Sequence, residues 1–108
     1  MFDLSITIIT WNCKSFVEKC LGGIFNKVNG VKFEVIVVDN NSTDGTKDMI
    51  KKRFPETSLI IENNVNKGVA RARNQAIRAS KGRYILLLDA DTEILSSNFW
   101  YSVWARTI

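Results

Sequence analysis

Two carboxylates one residue apart, Asp89 and Asp91, follow the apolar run Tyr84-Ile85-Leu86-Leu87-Leu88. Burying an unpaired carboxylate is costly, so the pair is expected to meet a cation, a hydrogen-bond donor or a metal at the end of that run. The spacing suits a hard divalent ion. Mg2+ or Mn2+ is usually held by one or two carboxylates, while substrate phosphates and water fill the remaining positions. There it would neutralise charge on a departing diphosphate. Asp-x-Asp alone arises often by chance; what raises its weight is position. It follows an apolar run, and a further carboxylate, Asp39, follows a second one, Phe33-Glu34-Val35-Ile36-Val37-Val38.

One cation is placed to serve these acids. Val69, Ala72, Ala76 and Ala79 form a narrow stripe of small residues at helical spacing, which lets a helix from Val69 to about Ala79 lie close to a sheet. Arg73, four residues after Val69 and three before Ala76, falls on that inner side, whereas Arg71 and Arg78 point away. A long inward cation needs a partner. Arg73 either snorkels to the sheet edge and pairs with a structural carboxylate, or orients Asp39, Asp89 or a ligand phosphate.

The elements that must position these groups alternate along the chain. Ser5 to Trp11 reads as a first strand ending at Asn12, and Ser15-Phe16-Val17-Glu18 has the spacing of a capping box for a helix whose inner face is Phe16, Val17, Cys20, Leu21, Ile24 and Phe25. After Asn29-Gly30 comes the strand ending at Asp39. The polar cluster Asn40 to Gly45 follows, with Asp44 read as a helix cap rather than a ligand contact, and then a helix marked by Thr46, Met49, Ile50 and Phe54 that Pro55 closes. Ser58 to Glu62 is a short third strand; the Ala-rich helix and the opening strand complete the series. That strand, an unbroken apolar run, is expected to be buried on both faces. The alternation predicts a three-layer α/β fold with a mainly parallel, Rossmann-like sheet, and in such sheets ligands bind beyond the carboxyl ends of the strands.

At 108 residues, 45% hydrophobic and 24% charged, the composition is that of one small globular domain with no room for a second. A net charge of +4 is compatible with an anionic ligand such as a nucleotide. There is no dense basic run with interleaved aromatics, so nucleic acid is not an expected partner, and Lys51-Lys52-Arg53 reads as a solvated helix end. The two cysteines and the lack of histidine offer neither a zinc site nor a Cys/His nucleophile pair; reduced thiols and a cytoplasmic location are expected, with Cys20 in the core. No stretch approaches the ~20 apolar residues of a membrane span, although a longer form could carry a membrane association.

Three stretches together resemble the inverting glycosyltransferases of family 2, which have the GT-A fold. Ser5-Ile6-Thr7-Ile8-Ile9-Thr10-Trp11-Asn12 is similar to the family's first strand, and Val37 to Thr46 to its nucleotide-recognition loop. Asn66-Lys67-Gly68 through Ala72-Arg73-Asn74 to Leu88-Asp89-Ala90-Asp91-Thr92 is similar to the helix leading to its metal motif. The resemblance runs to about Leu95. It implies a truncated GT-A domain, with residues 1–95 as the donor-binding part and 96–108 as the start of a helix leading to an absent acceptor half. It implies that Asp39 accepts a hydrogen bond from the base, that Thr10 and Trp11 flank the nucleoside, that Asp89 meets the ribose, that Asp91 holds Mn2+ or Mg2+ and that Arg73 organises the pocket. The implied reaction transfers a sugar from a nucleotide-diphospho-sugar, a UDP-sugar, to an acceptor hydroxyl with inversion, the acceptor being a glycan or lipid-linked saccharide. The general base normally lies beyond this stretch, and nothing after Thr92 supplies one; Glu93 is too close to the metal motif.

The aromatic residues Phe99, Trp100, Tyr101 and Trp104 follow Ser96 and Ser97, which could cap a helix, and they lack an evident partner in the sequence. Self-association through them, as a homodimer, is the expectation. Two other functions are compatible with the pattern. A nucleotide-binding or dimerising fragment without turnover shares every donor-site feature. An Asp-nucleophile phosphohydrolase of the haloacid dehalogenase type also uses Asp-x-Asp after a strand, but it wants threonine or valine at position 93 and the motif on its first strand.

Overall fold

The computed structural model describes residues 1–94. The expected helix at Ser96 or Ser97 and the self-association through the aromatic residues both lie outside the described residues. Four strands and three helices alternate: β1 (Leu4–Thr10), α1 (Lys14–Lys27), β2 (Phe33–Asp39), α2 (Thr46–Arg53), β3 (Leu59–Glu62), α3 (Val69–Ala79) and β4 (Tyr84–Asp89). The sheet order is β3-β2-β1-β4 and every pairing is parallel.

This order fixes where the helices lie. The chain steps from β1 to β2 to β3 in one direction, then jumps back across β1 to β4. Parallel crossovers are right-handed, so reversing the direction of travel sends the connecting helix to the opposite face. Accordingly α1 and α2 cover one face, where Val17, Cys20, Leu21, Ile24, Met49 and Ile50 pack on Leu4, Ile6, Ile8, Val35, Val37 and Leu88. On the other face Ala72 and Ala76 of α3 pack on Ile36 and Val38, with Ile9 and Ile61 beside them. The three layers are those expected from the sequence.

The pleat then sorts the strand residues. Ser5 and Glu34 sit on the α3 face near the amino ends of β1 and β2 and hydrogen-bond at 2.6 Å; Glu34 also accepts from the Lys81 N–H at 2.6 Å and Ser5 Oγ from the Gly82 N–H at 2.8 Å. A buried carboxylate is thereby satisfied, and the entry to β4 is pinned against β1. Gly82 has to be glycine, because a Cβ there would lie 2.6 Å from Ser5 N and 2.7 Å from Leu4 C.

The expectation that β4 is buried on both faces is corrected. Among the described residues β4 is the outermost strand on its side of the sheet, and Ile85 and Leu87 on its α3 face are 40% and 46% exposed. The reason is topological: α3 packs over β1 and β2 rather than over β4. Phe16 is likewise exposed rather than core, and Val69, at the start of α3, projects beyond the sheet into solvent.

The capping box expected at Ser15 is also replaced. α1 begins at Lys14 after Cys13, with no local side-chain cap. Its cap comes from Asp44, thirty residues away, whose Oδ2 accepts the Lys14 N–H at 3.1 Å. The same carboxylate accepts the Thr46 N–H at 3.1 Å and the Thr46 hydroxyl, so one side chain terminates both α1 and α2. Burial alone would raise the Asp44 pKa, but the hydrogen bonds from Thr46 and Lys14 outweigh it and hold the carboxyl below its ordinary value.

Candidate functional site

Opposite-going crossovers leave a crevice at the carboxyl ends of β1 and β4, the switch point where ligands bind in open α/β sheets. A cavity of about 410 Å3 lies there. Its walls come from Ile9 in β1, Trp11 and Cys13 after it, Asn40 after β2, Asn66 and Gly68 before α3, Val69 at its start, Arg73 one turn on, and Asp89 at the end of β4.

Register sets the depth of each acid. Thr10 aligns with Asp39, and Ile9 aligns with Asp89. Successive strand residues face opposite ways, so Asp89 shares the α3 face with Ile9, whereas Asp39 and Thr10 point toward α1 and α2. Arg73, on α3, therefore meets Asp89 and not Asp39: its Nη2 donates to Asp89 Oδ1 at 2.9 Å. Asp89 is 73% exposed while the Arg73 side chain is 25% exposed. The second terminal nitrogen, Nη1, is buried and has no hydrogen-bond partner among the described residues. A buried, unbonded donor on a cation at a cavity wall calls for an acceptor.

Asp39 occupies a different situation from the open rim expected of it. It is 0% exposed, and both oxygens are engaged by Ser42, the backbone N–H donating to Oδ2 at 2.9 Å and the hydroxyl to Oδ1 at 2.6 Å. Ser42 Oγ in turn accepts the Asn12 N–H at 2.9 Å, and Asn12 Oδ1 accepts the Thr43 N–H at 2.7 Å. Asn12 and Asn41 both hold left-handed backbone, with φ of 49° and 67°, conformations that asparagine tolerates better than most residues. The loops after β1 and β2 are thus tied into one unit around Asp39. Thr10 is buried beside them, its hydroxyl 2.9 Å from Cys13 Sγ, while Trp11 stands 55% exposed at the cavity wall.

Of the five residues expected at a nucleotide, then, Trp11, Arg73 and Asp89 come together in the cavity, and Thr10 and Asp39 lie behind it. Asn40 was not singled out from the sequence and is central. Its Nδ2 donates to the Gly68 carbonyl at 3.3 Å, and its Oδ1 accepts from Asn63 Nδ2 at 3.0 Å and from the Lys67 N–H at 3.3 Å. Asn63 and Gln75 exchange amide hydrogen bonds at 2.8 and 2.9 Å, which extends the chain into α3. Gly68, with φ of 81° and ψ of 167°, turns the chain into α3 through a conformation essentially reserved for glycine. The signal for Asn40 was present: an amide directly after a buried strand has more donors and acceptors than solvent can serve there.

Asp91 is exposed in the turn closed by the Thr92 N–H on the Asp89 carbonyl at 2.9 Å, and no hydrogen bond or ion pair engages its side chain among the described residues. No three His, Cys, Asp or Glu residues among those described converge on one point to hold a metal. The open carboxylates fit an ion that takes most of its ligands from a bound anion and water, and not a self-contained protein cage. Cys20 is inert core, its thiol pushed up to about 12 by burial, with Asp91 and Cys13 adding to the effect.

The family description "Glycosyl transferase family 2" matches residues 5–105. The chain belongs to that family. An Escherichia coli family relative, the UDP-Glc:alpha-D-GlcNAc-diphosphoundecaprenol beta-1,3-glucosyltransferase WfaP, is 40% identical over 92 residues, covering 82% of this chain and 35% of the relative. The poly(ribitol-phosphate) beta-glucosyltransferase of Bacillus spizizenii is 37% identical over 106 residues, 92% of this chain and 17% of the relative. Among solved structures, S. aureus TarS 1-349 in complex with UDP-GlcNAc superposes with a TM-score of 0.82 at 25% identity, over 95% of this chain and 30% of that one. A mannosyltransferase from Pyrobaculum calidifontis in complex with GDP-Man and Mn2+ gives 0.81 at 28% identity, over 90% and 30%. These neighbours confirm the GT-A architecture. The chain spans about a third or less of the length of the family-2 enzymes it matches.

Proposed function

We propose that this chain forms the donor-binding part, residues 1–95, of a family-2 glycosyltransferase that uses a nucleotide-diphospho-sugar, a UDP-sugar, and inverts the anomeric carbon. Residues 96–108 would lead toward an acceptor-binding part that selects a glycan or lipid-linked saccharide. The observation that carries the reading is the switch-point cavity, where Arg73 holds Asp89 with Nη2 and keeps Nη1 buried and, among the described residues, unbonded. An anionic oxygen of the donor would satisfy that nitrogen.

The residues divide the work by position. Trp11 offers an exposed ring against which a nucleoside can rest. Asp89, steadied by Arg73, is suited to accept hydrogen bonds from ribose hydroxyls. Asp39 reads the base through the second lone pair of an oxygen already held by Ser42, which requires the loop of Asn40 to Thr43 to open toward the ligand. Thr10 sets the floor beneath it. Asp91 would hold Mn2+ or Mg2+ together with the donor diphosphate, and that ion supplies charge neutralisation on the leaving group.

In the reaction, the acceptor oxygen forms a bond to the anomeric carbon as the carbon–oxygen bond to the diphosphate breaks. The electron pair departs on the nucleoside diphosphate, and the acceptor proton passes to a general base that the described residues do not provide. Calorimetry of UDP binding, with and without Mn2+, tests the reading on wild type and Asp91→Ala. Metal-dependent binding that Asp91→Ala abolishes is expected; wild-type protein that ignores UDP in both conditions refutes it.

A further inference from the structure

α3 rests on the sheet through side chains too small to lock it. Ala72 and Ala76, both fully buried, meet Ile36 and Val38. A methyl group raises no ridge to seat in a groove, so the stripe brings the helix close without fixing how far it is rolled about its own axis. Roll is decided on the flanks. From the helical repeat, Arg73 and Gln75 project about 80° to either side of the line through Ala72 and Ala76. α3 packs over β1 and β2, which lie between β4 and β3 in the sheet order. Arg73 reaches toward β4, where Nη2 donates to Asp89 Oδ1 at 2.9 Å; Gln75 reaches the end of β3, where it exchanges hydrogen bonds with the Asn63 amide at 2.8 and 2.9 Å.

The Gln75 flank is the more firmly anchored of the two. Asp89 lies mostly in solvent, whereas Asn40 and Asn63 are buried. The backbones of both asparagines extend the sheet, the Asn40 N–H donating to the Thr10 carbonyl and the Asn63 N–H to the Asp39 carbonyl, each at 2.9 Å. Their side chains bond each other at 3.0 Å, and Asn40 holds the turn into α3 through the Gly68 carbonyl and the Lys67 N–H, both at 3.3 Å. Polar bonds therefore tie α3 to the sheet just before Val69 and again at Gln75. Arg73 lies between the two ties.

We propose that Gln75 is a positioning residue for the nucleoside diphosphate donor: through Asn63 and Asn40 it sets the roll of α3 and so places the Arg73 guanidinium between Asp89 and the cavity. Gln75 is not among the residues that line the cavity, and it acts only through Arg73. Partners of this kind matter because a charged hydrogen bond depends steeply on distance and angle, so a guanidinium left to drift binds its anion less well. The donor role rests on the donor-site reading above; the placement of Arg73 does not.

NMR of the nitrogen-labelled, ligand-free chain reads that placement. The Arg73 guanidinium, assigned by the signals missing from Arg73→Lys, is expected to show distinct Nη lines in wild type, and in folded Gln75→Leu these should merge into one exchange-averaged line. Lines already averaged in wild type, or unchanged in Gln75→Leu, overturn the proposal. Calorimetry of UDP with Mn2+ reads the consequence: Gln75→Leu is expected to bind roughly tenfold more weakly, and an affinity equal to wild type overturns the proposal. Ser80→Ala controls for a general loosening of α3, since it removes the bond from the Ser80 hydroxyl to the Ala76 carbonyl at 2.8 Å and leaves Asn40, Asn63 and Gln75 untouched. Wild-type UDP affinity is expected of it, and a loss as large as that of Gln75→Leu refutes the positioning role. Gln75→Asn, whose amide is one carbon short of Asn63, supplies the same two readings should Gln75→Leu fail to fold. Wild type that ignores UDP, while its Arg73 lines merge in Gln75→Leu, refutes the donor-site reading and upholds the placement of Arg73.

Discussion

Replacing Ser42 by alanine removes the hydroxyl that Asp39 Oδ1 accepts at 2.6 Å and leaves the Ser42 N–H on Oδ2 at 2.9 Å. Because Asp39 is fully buried, water cannot replace the lost donor. A hydrogen bond to a charged group contributes about 1.5–3 kcal/mol, and stranding a buried charge costs at the upper end of that range. The Asn12 N–H also loses its acceptor, but Asn12 is exposed and water can serve it. A net loss of about 2–3 kcal/mol is therefore expected. Urea unfolding should show it as a midpoint lowered by roughly 1–2 M for a slope of about 1.5–2 kcal/mol per M. Adding Asp39→Asn completes a double-mutant cycle, and its coupling energy should account for most of the Ser42→Ala loss. A loss below about 0.5 kcal/mol, or a coupling near zero, would refute the claim that Ser42 is what makes a buried carboxylate tolerable at this rim.

Two further outcomes follow from the same structure. Asp44→Ala uncaps α1 and α2 together and should cost about 1–3 kcal/mol, more than one ordinary cap; because hydrogen bonding depresses the Asp44 pKa, its contribution is present above the unfolded carboxyl value and is lost as pH falls through the folded one, so the wild-type advantage over Asp44→Ala should fade in acid. Cys20, raised by burial, works in the opposite sense: its contribution is full below the unfolded thiol value of 9.0 and declines as pH climbs toward about 12, costing about 1 kcal/mol near pH 10, a loss that a Cys20→Ala chain should not show in alkaline unfolding curves.

Local pattern carried the elements well. The small-residue stripe fixed α3 to the very residues Val69–Ala79, and the apolar runs located β2 and β4 because strand signals are short-range. Arg73 was correctly turned inward by helical periodicity alone. The choice between Asp39 and Asp89 as its partner, however, depends on which face of the sheet each acid occupies, and that follows from the jump of β4 to the far side of β1. Three leucines in a row read as a strand covered on both faces, since composition reports apolarity and not whether a neighbour is present. The misread start of α1 has the same origin: its cap is donated by Asp44 across thirty residues, and a plausible local motif at Ser15 outranked it. Family resemblance located the rim; it did not reveal that Ser42 encloses Asp39 or that Asn40 joins three loops.

The position of β1 has a bearing on how the molecule is made. β1 lies between β2 and β4, yet its second partner begins eighty residues after it, at Tyr84 against Leu4. During synthesis β1, β2 and β3 emerge before β4, and until that strand has been made one margin of β1 has no native partner strand. Loop closure over that span is slow, and an unpaired margin is the surface through which nascent chains find each other. The crevice beside Asp89 therefore cannot be completed before the sixth residue of β4 has been made, later than any other strand pairing of the described fold.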